Sequence, residues 1–226
     1  MTIMNMVKSA SDSSAEIKGT EIAAAGLQSQ LKPGSAAEKI FLVSNDSFHN
    51  QPPDGFIALF NGYDLTGWRI IDGLPDSWQV QDSVLYTTGK GGGWLSSDRV
   101  FSDFKMELEF RSPAGGNSGI FIRAPHEGDP AYTGMEIQLL DDFARKNAGL
   151  KPWQYCGSIY GIQAPVQRVS KPDGIWQKMV IDCRGPQIKV ILNDVLIIDT
   201  NLAEHMDQET IHPGIKRRSG HIRLQT

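Results

Sequence analysis

The residues best suited to chemistry lie at 136–141, where Glu136, Gln138 and Asp141 interrupt an otherwise apolar run. On a β-strand Glu136 and Gln138 would share one face, while the apolar side chains at 135, 137 and 139 would share the other. Asp141 has the opposite parity and would join Glu136 only through a one-residue bulge, a feature common beside active sites. We therefore predict a strand whose polar face lines a groove, with carboxylates placed for general acid–base work.

A second polar group precedes that strand, at 117–123. Glycines at 115, 116 and 119 let the backbone approach a ligand closely, and the Asn117 amide can hydrogen-bond to hydroxyl groups. A turn-capping role also explains Asn117. Arg123 could act on a ligand, or it could form an ion pair with Glu136 or Asp141 on an adjacent strand, and both interpretations stay open.

Short alternating runs separated by Gly, Pro, Asn and Asp position these residues. At 104–111 apolar and charged residues alternate strictly, which is the period of a half-buried strand. Further strands are predicted at 120–123, 135–140, 176–183, 187–192, 195–199 and 221–225, with a two-residue hairpin turn at Asn193-Asp194. Helical periodicity is limited to a short stretch at 141–149. The predicted fold class is all-β, an antiparallel β-sandwich or jelly roll.

Size and charge restrict the function classes. The chain has 226 residues, with 22 Lys+Arg against 26 Asp+Glu and a formal net charge of −4. It fits one domain of about 150–250 residues, and its acidic balance disfavours nucleic-acid binding. No apolar run approaches the ~18 residues of a membrane span. Cys156 and Cys183 are most simply two isolated thiols, one disulfide being the alternative, and the histidines lack metal-ligand spacing.

Residues 1–53 differ in composition from residues 54–226. The first segment holds no Trp or Arg and is rich in Ser, Ala, Asn and Gln, so we predict a flexible or irregular extension followed by one domain at 54–226. The first residues lack the roughly 7–15-residue apolar run of an export signal, which predicts a cytoplasmic location for the chain as written.

Several blocks of the sequence together resemble the 3-keto-disaccharide hydrolase family. They are GFIALFNGYDLTGW at 55–68, WQVQDSVLYT at 78–87, GGGWLSSDRVFSDFKMELEFRSPAGGNSGIFIRAP at 91–125, YTGMEIQLLDD at 132–142, GSIYGIQAP at 157–165, and two later blocks at 173–200 and 219–226. The resemblance implies a concanavalin A-like jelly roll that cleaves oxidised (3-keto) glycosides and binds carbohydrate. It also suggests a periplasmic or extracellular location, in contrast to the missing export signal.

Members of that family usually continue after the match to GHIRLQ with one more strand, which closes the sheet beside the amino-terminal strand. The resemblance therefore predicts a sandwich lacking its final strand. A sheet edge would then be unpaired, unless part of 1–53 covers it.

The resemblance also implies a reaction. A ketone at C3 acidifies the C2 proton, a base removes that proton, and the C1–O bond breaks by β-elimination before water adds. Glu136 would be the base or a metal ligand, Arg123 the partner of the enediolate oxygens, and Gln138 a neutral hydrogen-bonding group. A divalent cation held by Glu136, Asp141 or Asp142 is an alternative source of positive charge.

Aromatic side chains are expected to bind a sugar by stacking against its C–H faces. Trp153 and Tyr155 are the predicted platforms, because their loop should follow the Glu136 strand closely, and Tyr160 can supply a hydroxyl. His126, in the loop after the 117–123 segment, is a further candidate for substrate binding.

Two other functions stay open. The order Glu136, Gln138, Asp141 resembles the Glu-x-Asp-x-x-Glu pattern of laminarinase- and lichenase-type retaining glucanases, which need two carboxyl groups about 5–5.5 Å apart. Here an amide stands at the middle position, so the pattern is degraded. A non-catalytic, lectin-like carbohydrate-binding domain is the other alternative, because a fold does not decide a function.

Overall fold

Two β-sheets pack face to face. The computed structural model describes residues 3–4, 38–41, 52 and 54–226. Its strands in chain order are β1 (Ile3–Met4), β2 (Glu38–Phe41), β3 (Ile57–Ala58), β4 (Trp68–Ile71), β5 (Trp78–Gln81), β6 (Val84–Thr87), β7 (Trp94–Phe101), β8 (Phe104–Arg111), β9 (Asn117–Ala124), β10 (Met135–Leu140), β11 (Gln177–Arg184), β12 (Gln187–Leu192), β13 (Val195–Asn201) and β14 (Gly220–Gln225). Helical structure in this part of the chain is limited to α1 (Pro130–Thr133) and to 3₁₀ turns at Arg145–Asn147, Pro152–Gln154, Leu202–Gln208 and Pro213–Lys216.

The predicted antiparallel β-sandwich is confirmed. The alternating run at 104–111 forms β8, whose inward-facing side chains Phe104, Met106, Leu108 and Phe110 are at most 2% exposed. The other predicted strands are present, most with bounds shifted by one to three residues. Asn193 and Asp194 both have positive φ, 50° and 66°, as a two-residue turn between β12 and β13 requires.

The first sheet has the order β13-β12-β11-β8-β1-β6-β5, and β2 pairs with both β8 and β3. One edge of β8 pairs along its length with β11. The other edge is shared, since β2 pairs with it in parallel at Phe104–Glu107 and β1 pairs antiparallel at Phe110–Arg111. Two short segments of residues 1–53 thus occupy this edge, and the rest of that predicted extension, apart from residue 52, lies outside the described residues.

The second sheet has the order β10-β9-β14-β7-β4 and is antiparallel throughout. Its inner face packs against the first sheet through residues such as Ile120, Ile137, Leu139 and Leu224, all 0% exposed. Because side chains alternate along a strand, the residues between these point to the opposite face. That outer face carries the polar residues of 136–138.

β10 is the edge strand of the second sheet, and the segment 157–160 hydrogen-bonds to its outer side. Gly157 donates its backbone N–H to the Gln138 carbonyl at 2.8 Å, and Tyr160 donates to the Glu136 carbonyl at 2.9 Å. This pairing fixes Glu136 and Gln138 from both sides of their strand. No helix in the described part of the chain is long and apolar enough to cross a membrane.

Candidate active site

The cross-strand register places Glu136 in a row of side chains on the outer face of the second sheet. Residues directly opposite each other on paired strands point to the same side. Glu136 on β10 lies opposite Phe121 on β9, and Phe121 lies opposite Arg223 on β14. Phe121 belongs to a small apolar cluster separate from the main core, which confirms that this row faces outward.

A second row lies one pleat along. Gln138 on β10 is opposite Gly119 on β9, and Gln225 on β14 is opposite Trp94 on β7. Because Leu224 pairs with Ile120, the next residue, Gln225, lies beside Gly119. The two glutamines therefore flank a glycine.

A cavity of about 500 Å³ opens over these two rows. Its size falls within the usual range for a small-molecule site. Its aromatic walls come from Trp94, Phe121, Tyr132 and Tyr160. Its polar groups come from Asn117, Asp129, Glu136, Gln138, Lys146, Asn147, Gln154 and Gln225.

Glu136 is buried in this cavity without a partner for its charge. Glu136 is only 6% exposed. Among the described residues, no hydrogen-bond donor or cation contacts its carboxylate. Burial penalises the ionised form, and the nearby negative charge of Asp129 adds to the effect, so the pKa of Glu136 is raised to about 8. A carboxyl group in this state can both take and return a proton near neutral pH.

Gly119 provides the space that the Glu136 side chain occupies. A Cβ atom at position 119 would overlap Oε1 of Glu136, and it would also crowd the rest of the carboxyl group. The sequence predicted that this glycine lets backbone approach a ligand. Its observed role is to admit the Glu136 carboxylate.

Asp129 is a cavity residue that sequence reasoning missed. Its Oδ1 accepts the backbone N–H of Ala131 at 3.0 Å and so caps the amino end of α1, while the same residue lines the cavity near Glu136. The Asp-Pro pair at 129–130 is a recognisable helix start, but its position beside Glu136 comes from tertiary structure.

The prediction that Arg123 faces Glu136 across the groove is wrong. Arg123 is 0% exposed, and its guanidinium donates to the carbonyls of Ser102, Gly185 and Arg217, with the Gly185 contact at 2.7 Å. Its backbone has φ of +53°, which breaks the alternation of β9 and turns the side chain out of the row. Arg123 holds three loops together at one end of the sandwich.

Asp141 is not the second carboxylate of the site. Its Oδ2 accepts the Gly115 N–H at 2.7 Å and its Oδ1 accepts the Phe143 N–H at 3.0 Å, and it is absent from the cavity lining. The register between β9 and β10 is regular through Leu140, so the predicted bulge is also absent. Asp141 keeps its opposite parity and ties down two turns.

Of the predicted binding residues, Gln138, Asn117 and Tyr160 line the cavity. Trp153, Tyr155 and His126 do not, because each packs elsewhere. The Trp153 ring meets the edge of Tyr160 at 5.4 Å between centroids, Arg168 covers Tyr155 at 3.7 Å, and His126 stacks on His221 at 3.8 Å. Trp153 thus supports a cavity wall from behind.

Trp94 is the aromatic wall on the opposite side, and Arg223 lies under it. The guanidinium carbon is 4.6 Å from the centre of the indole, and Arg223 donates to the Pro125 carbonyl at 2.9 Å. Arg223 is 0% exposed, and burial lowers its pKa. Sequence analysis assigned no role to Trp94 or Arg223, and nothing local marks Arg223 in the middle of its strand.

In the part of the chain that the structure describes, no group of three or more His, Cys, Asp or Glu side chains is arranged to hold a metal ion. Asp142, one of the predicted oxygen ligands, accepts the Ser170 hydroxyl at 2.6 Å and the Cys156 N–H at 3.0 Å. The predicted cation thus has no preassembled ligand cluster among these residues.

Comparison with known proteins identifies the family. Residues 55–226 match the family model of the 3-keto-alpha-glucoside-1,2-lyase-like domain. The chain belongs to this family. A 3-keto-disaccharide hydrolase of Bacteroides thetaiotaomicron is 31% identical, in a match that covers 57% of this chain. The match spans 52% of that relative, so the chain covers about half the length of the curated protein.

Solved structures show the same fold. Two crystal structures of proteins from Parabacteroides distasonis, both provisionally named glycosyl hydrolases, superpose with TM-scores of 0.61 and 0.65 at 27% and 25% identity. They cover 70% and 75% of this chain and 90% and 86% of their own chains. The β-sandwich of this chain is thus the fold of its relatives.

Replacing Arg123 should destabilise the fold. Arg123→Met removes the buried guanidinium that donates to the carbonyls of Ser102, Gly185 and Arg217, so we expect the free energy of unfolding to fall by about 1–3 kcal/mol. Urea unfolding followed by tryptophan fluorescence measures it. Arg184→Met, which removes an ion pair from a 62%-exposed side chain, is the control and should cost about 1 kcal/mol or less. Wild-type stability in Arg123→Met would contradict this structural role.

Glu136 should make the fold less stable as pH rises. Its pKa is raised to about 8 in the folded state, so between about pH 4.5 and pH 8 only the unfolded chain releases the proton. Glu136→Gln should therefore gain stability over wild type through this window, reaching about 4–5 kcal/mol above pH 8. Urea unfolding at a series of pH values tests this. A pH-independent difference would show that Glu136 titrates normally.

Proposed function

We propose that this domain cleaves 3-keto-glycosides by removing the C2 proton, with Glu136 as the base. The observation that carries the proposal is the unpartnered, buried Glu136 carboxylate on the floor of the cavity, with a pKa raised to about 8. A base of that pKa is far better matched to a carbon acid than an ordinary carboxylate, because proton-transfer efficiency rises with the basicity of the acceptor. The C3 ketone supplies the remaining acidity.

The proposed reaction passes through an enediolate. The Glu136 carboxylate takes the C2 proton, and the C2–H electrons form a C2=C3 double bond as the C3 oxygen becomes negative. The C3 carbonyl then re-forms, a C1=C2 double bond is made and the C1–O bond breaks. Glu136 returns its proton to the departing oxygen. Water finally adds across C1=C2, with hydroxyl to C1 and hydrogen to C2, which completes net hydrolysis.

The substrate class is supported by the relatives and by the cavity. The family description refers to a 3-keto-alpha-glucoside 1,2-lyase and the Bacteroides relative is named a 3-keto-disaccharide hydrolase. The lining combines aromatic rings, which stack on C–H faces, with amides that hydrogen-bond to hydroxyl groups. A 3-keto-disaccharide or a simpler 3-keto-glycoside is therefore the proposed substrate.

A retaining glucanase mechanism has less support. It would need a second carboxylate facing Glu136, and the predicted one, Asp141, accepts two backbone N–H groups outside the cavity. Elimination needs only one base, which agrees with the observed arrangement. Sugar binding without cleavage is an outcome that the next experiment distinguishes.

Glu136→Gln should strongly reduce turnover while leaving sugar binding nearly intact. The variant keeps the shape of the side chain but removes the base, so release of the aglycone from a 3-keto-glucoside should fall about 10²–10⁴-fold. Loss of deuterium from C2 of the substrate, followed by NMR, should fall in parallel. Glu127→Gln, an exposed carboxylate outside the cavity, is the control. Unchanged turnover in Glu136→Gln would remove Glu136 from the mechanism. If the wild-type protein binds the sugar but does not cleave it, the domain is lectin-like.

The activity should also depend on pH in the direction set by Glu136. Because only the ionised carboxylate can take the C2 proton, kcat/KM should rise with pH and level off above about 8. A profile already flat from pH 5 to 9 would contradict a base with a raised pKa.

A further inference from the structure

The cavity extends along β10 beyond the position of the base. Three successive outward-facing residues of that strand, Glu136, Gln138 and Leu140, line it. Glu136 lies opposite Phe121 at one end. Leu140 lies opposite Asn117 at the other end, about 13 Å away at the usual rise per residue of a strand. One pyranose ring is shorter than this, so a ring at Glu136 leaves room for a second unit at the distal end, which Asn117 and Leu140 form.

The two ends of the cavity differ in charge. Glu136 and Asp129 are the carboxylates of the lining, and Asp129 is close enough for its charge to act on Glu136. The cationic side chain of the lining is Lys146. Its Cε and Nζ atoms lie 3.3 and 3.4 Å from the position that a Cβ atom on Gly115 would occupy. Because Gly115 directly precedes the start of β9 by two residues, the ammonium group of Lys146 lies at the distal end.

Lys146 has no partner in the part of the chain that the structure describes. No carboxylate there lies within ion-pair distance of its ammonium group, and no acceptor lies within hydrogen-bond distance. Asp141, the acid that follows β10, is engaged elsewhere, because its two oxygens accept the N–H groups of Gly115 and Phe143. The side-chain amide of Asn117 likewise makes no hydrogen bond to a described residue. Unpaired lysines are common on protein surfaces, but this one lines a cavity that holds a base at its other end.

Lys146 is not placed to meet the negative charge on the C3 oxygen. C3 is bonded to C2, the carbon that Glu136 would deprotonate, so the C3 oxygen lies at the Glu136 end. Burial and the charge of Asp129 raise the pKa of Glu136, whereas an ammonium group beside it would lower that pKa. The ammonium group of Lys146 therefore faces the part of the substrate beyond C1, which is the unit that departs.

We propose that Lys146 and Asn117 bind an anionic group on the departing unit of the substrate, either a carboxylate or a phosphate ester. The inference rests on the proposed function, because it places the 3-keto ring at Glu136. An ammonium group attracts an anion and donates N–H bonds to its oxygens, and the Asn117 amide adds a neutral donor. The preferred substrate is then a 3-keto-disaccharide whose second sugar is a uronic acid or a sugar phosphate.

Substrates that differ only in the departing sugar test this specificity. They carry 3-keto-glucose linked to glucose, to glucuronic acid or to glucose phosphate. In the wild-type protein kcat/KM for an anionic substrate should exceed that for the neutral one about 10-fold, mostly through KM, and added salt should reduce this ratio. Lys146→Met should bring the ratio close to unity because the charge is removed, and Lys146→Glu should invert it by repulsion. Arg145→Met, the matched control, removes a neighbouring exposed charge outside the cavity lining and should keep the wild-type ratio.

A binding measurement separates this inference from the reaction. Disaccharides without the 3-ketone have no acidic C2 proton, so calorimetry can measure their binding to each variant without turnover. Wild-type protein that cleaves none of the 3-keto substrates would overturn the proposed function, and the binding series would still decide the role of Lys146.

Equal affinity of the wild-type protein for neutral and anionic disaccharides would overturn the anion site. A preference for anions that survives in Lys146→Met, or that falls equally in Arg145→Met, would do the same, since the second result shows a general effect of charge. A preference that Lys146→Met alone abolishes supports the site, and the anion that binds more tightly identifies carboxylate or phosphate as its ligand.

Discussion

The structure depends on one energetically costly arrangement. The Glu136 carboxylate is buried on the outer face of the second sheet, and nothing neutralises its charge. Desolvation of Glu136 opposes its ionisation, and no cation or N–H group compensates among the described residues. The rest of the sandwich supplies the stability that permits this, through the apolar face that β8 and β10 share across the core. Such strain is typical of functional sites, where a perturbed pKa serves the chemistry.

The surroundings of Glu136 are built to keep it unpartnered. Gly119 makes room for the carboxyl group, Phe121 separates it from Arg223 along its row, and Asp129 contributes negative charge. The buried arginines are held apart from it by other bonds, Arg123 to loop carbonyls and Arg223 beneath Trp94. An ion pair with either guanidinium would lower the pKa of Glu136 and remove its basicity.

The cavity walls show a common design in which an aromatic ring is supported from behind. Trp94 rests on Arg223, Tyr160 meets Trp153, and Tyr132 stacks on His212 at 5.0 Å. Packing of this kind fixes a ring without using its cavity face, which stays open to the cavity. Gln138 and Gln225 line the same cavity as these rings and Glu136.

Local patterns in the sequence predicted the strands from β8 to β14 and the polar face that carries Glu136. The period of two at 104–111 and 135–140 is a backbone property, so it predicted both strands and put Glu136 and Gln138 on one polar face. What the sequence could not show is which strands become neighbours. β14 comes last in the chain yet lies between β9 and β7, and only this pairing brings Gln225 and Arg223 to the site. Arg123 and Asp141 were assigned wrongly because a positive φ and a regular register, both set by long-range contacts, decide where their side chains go.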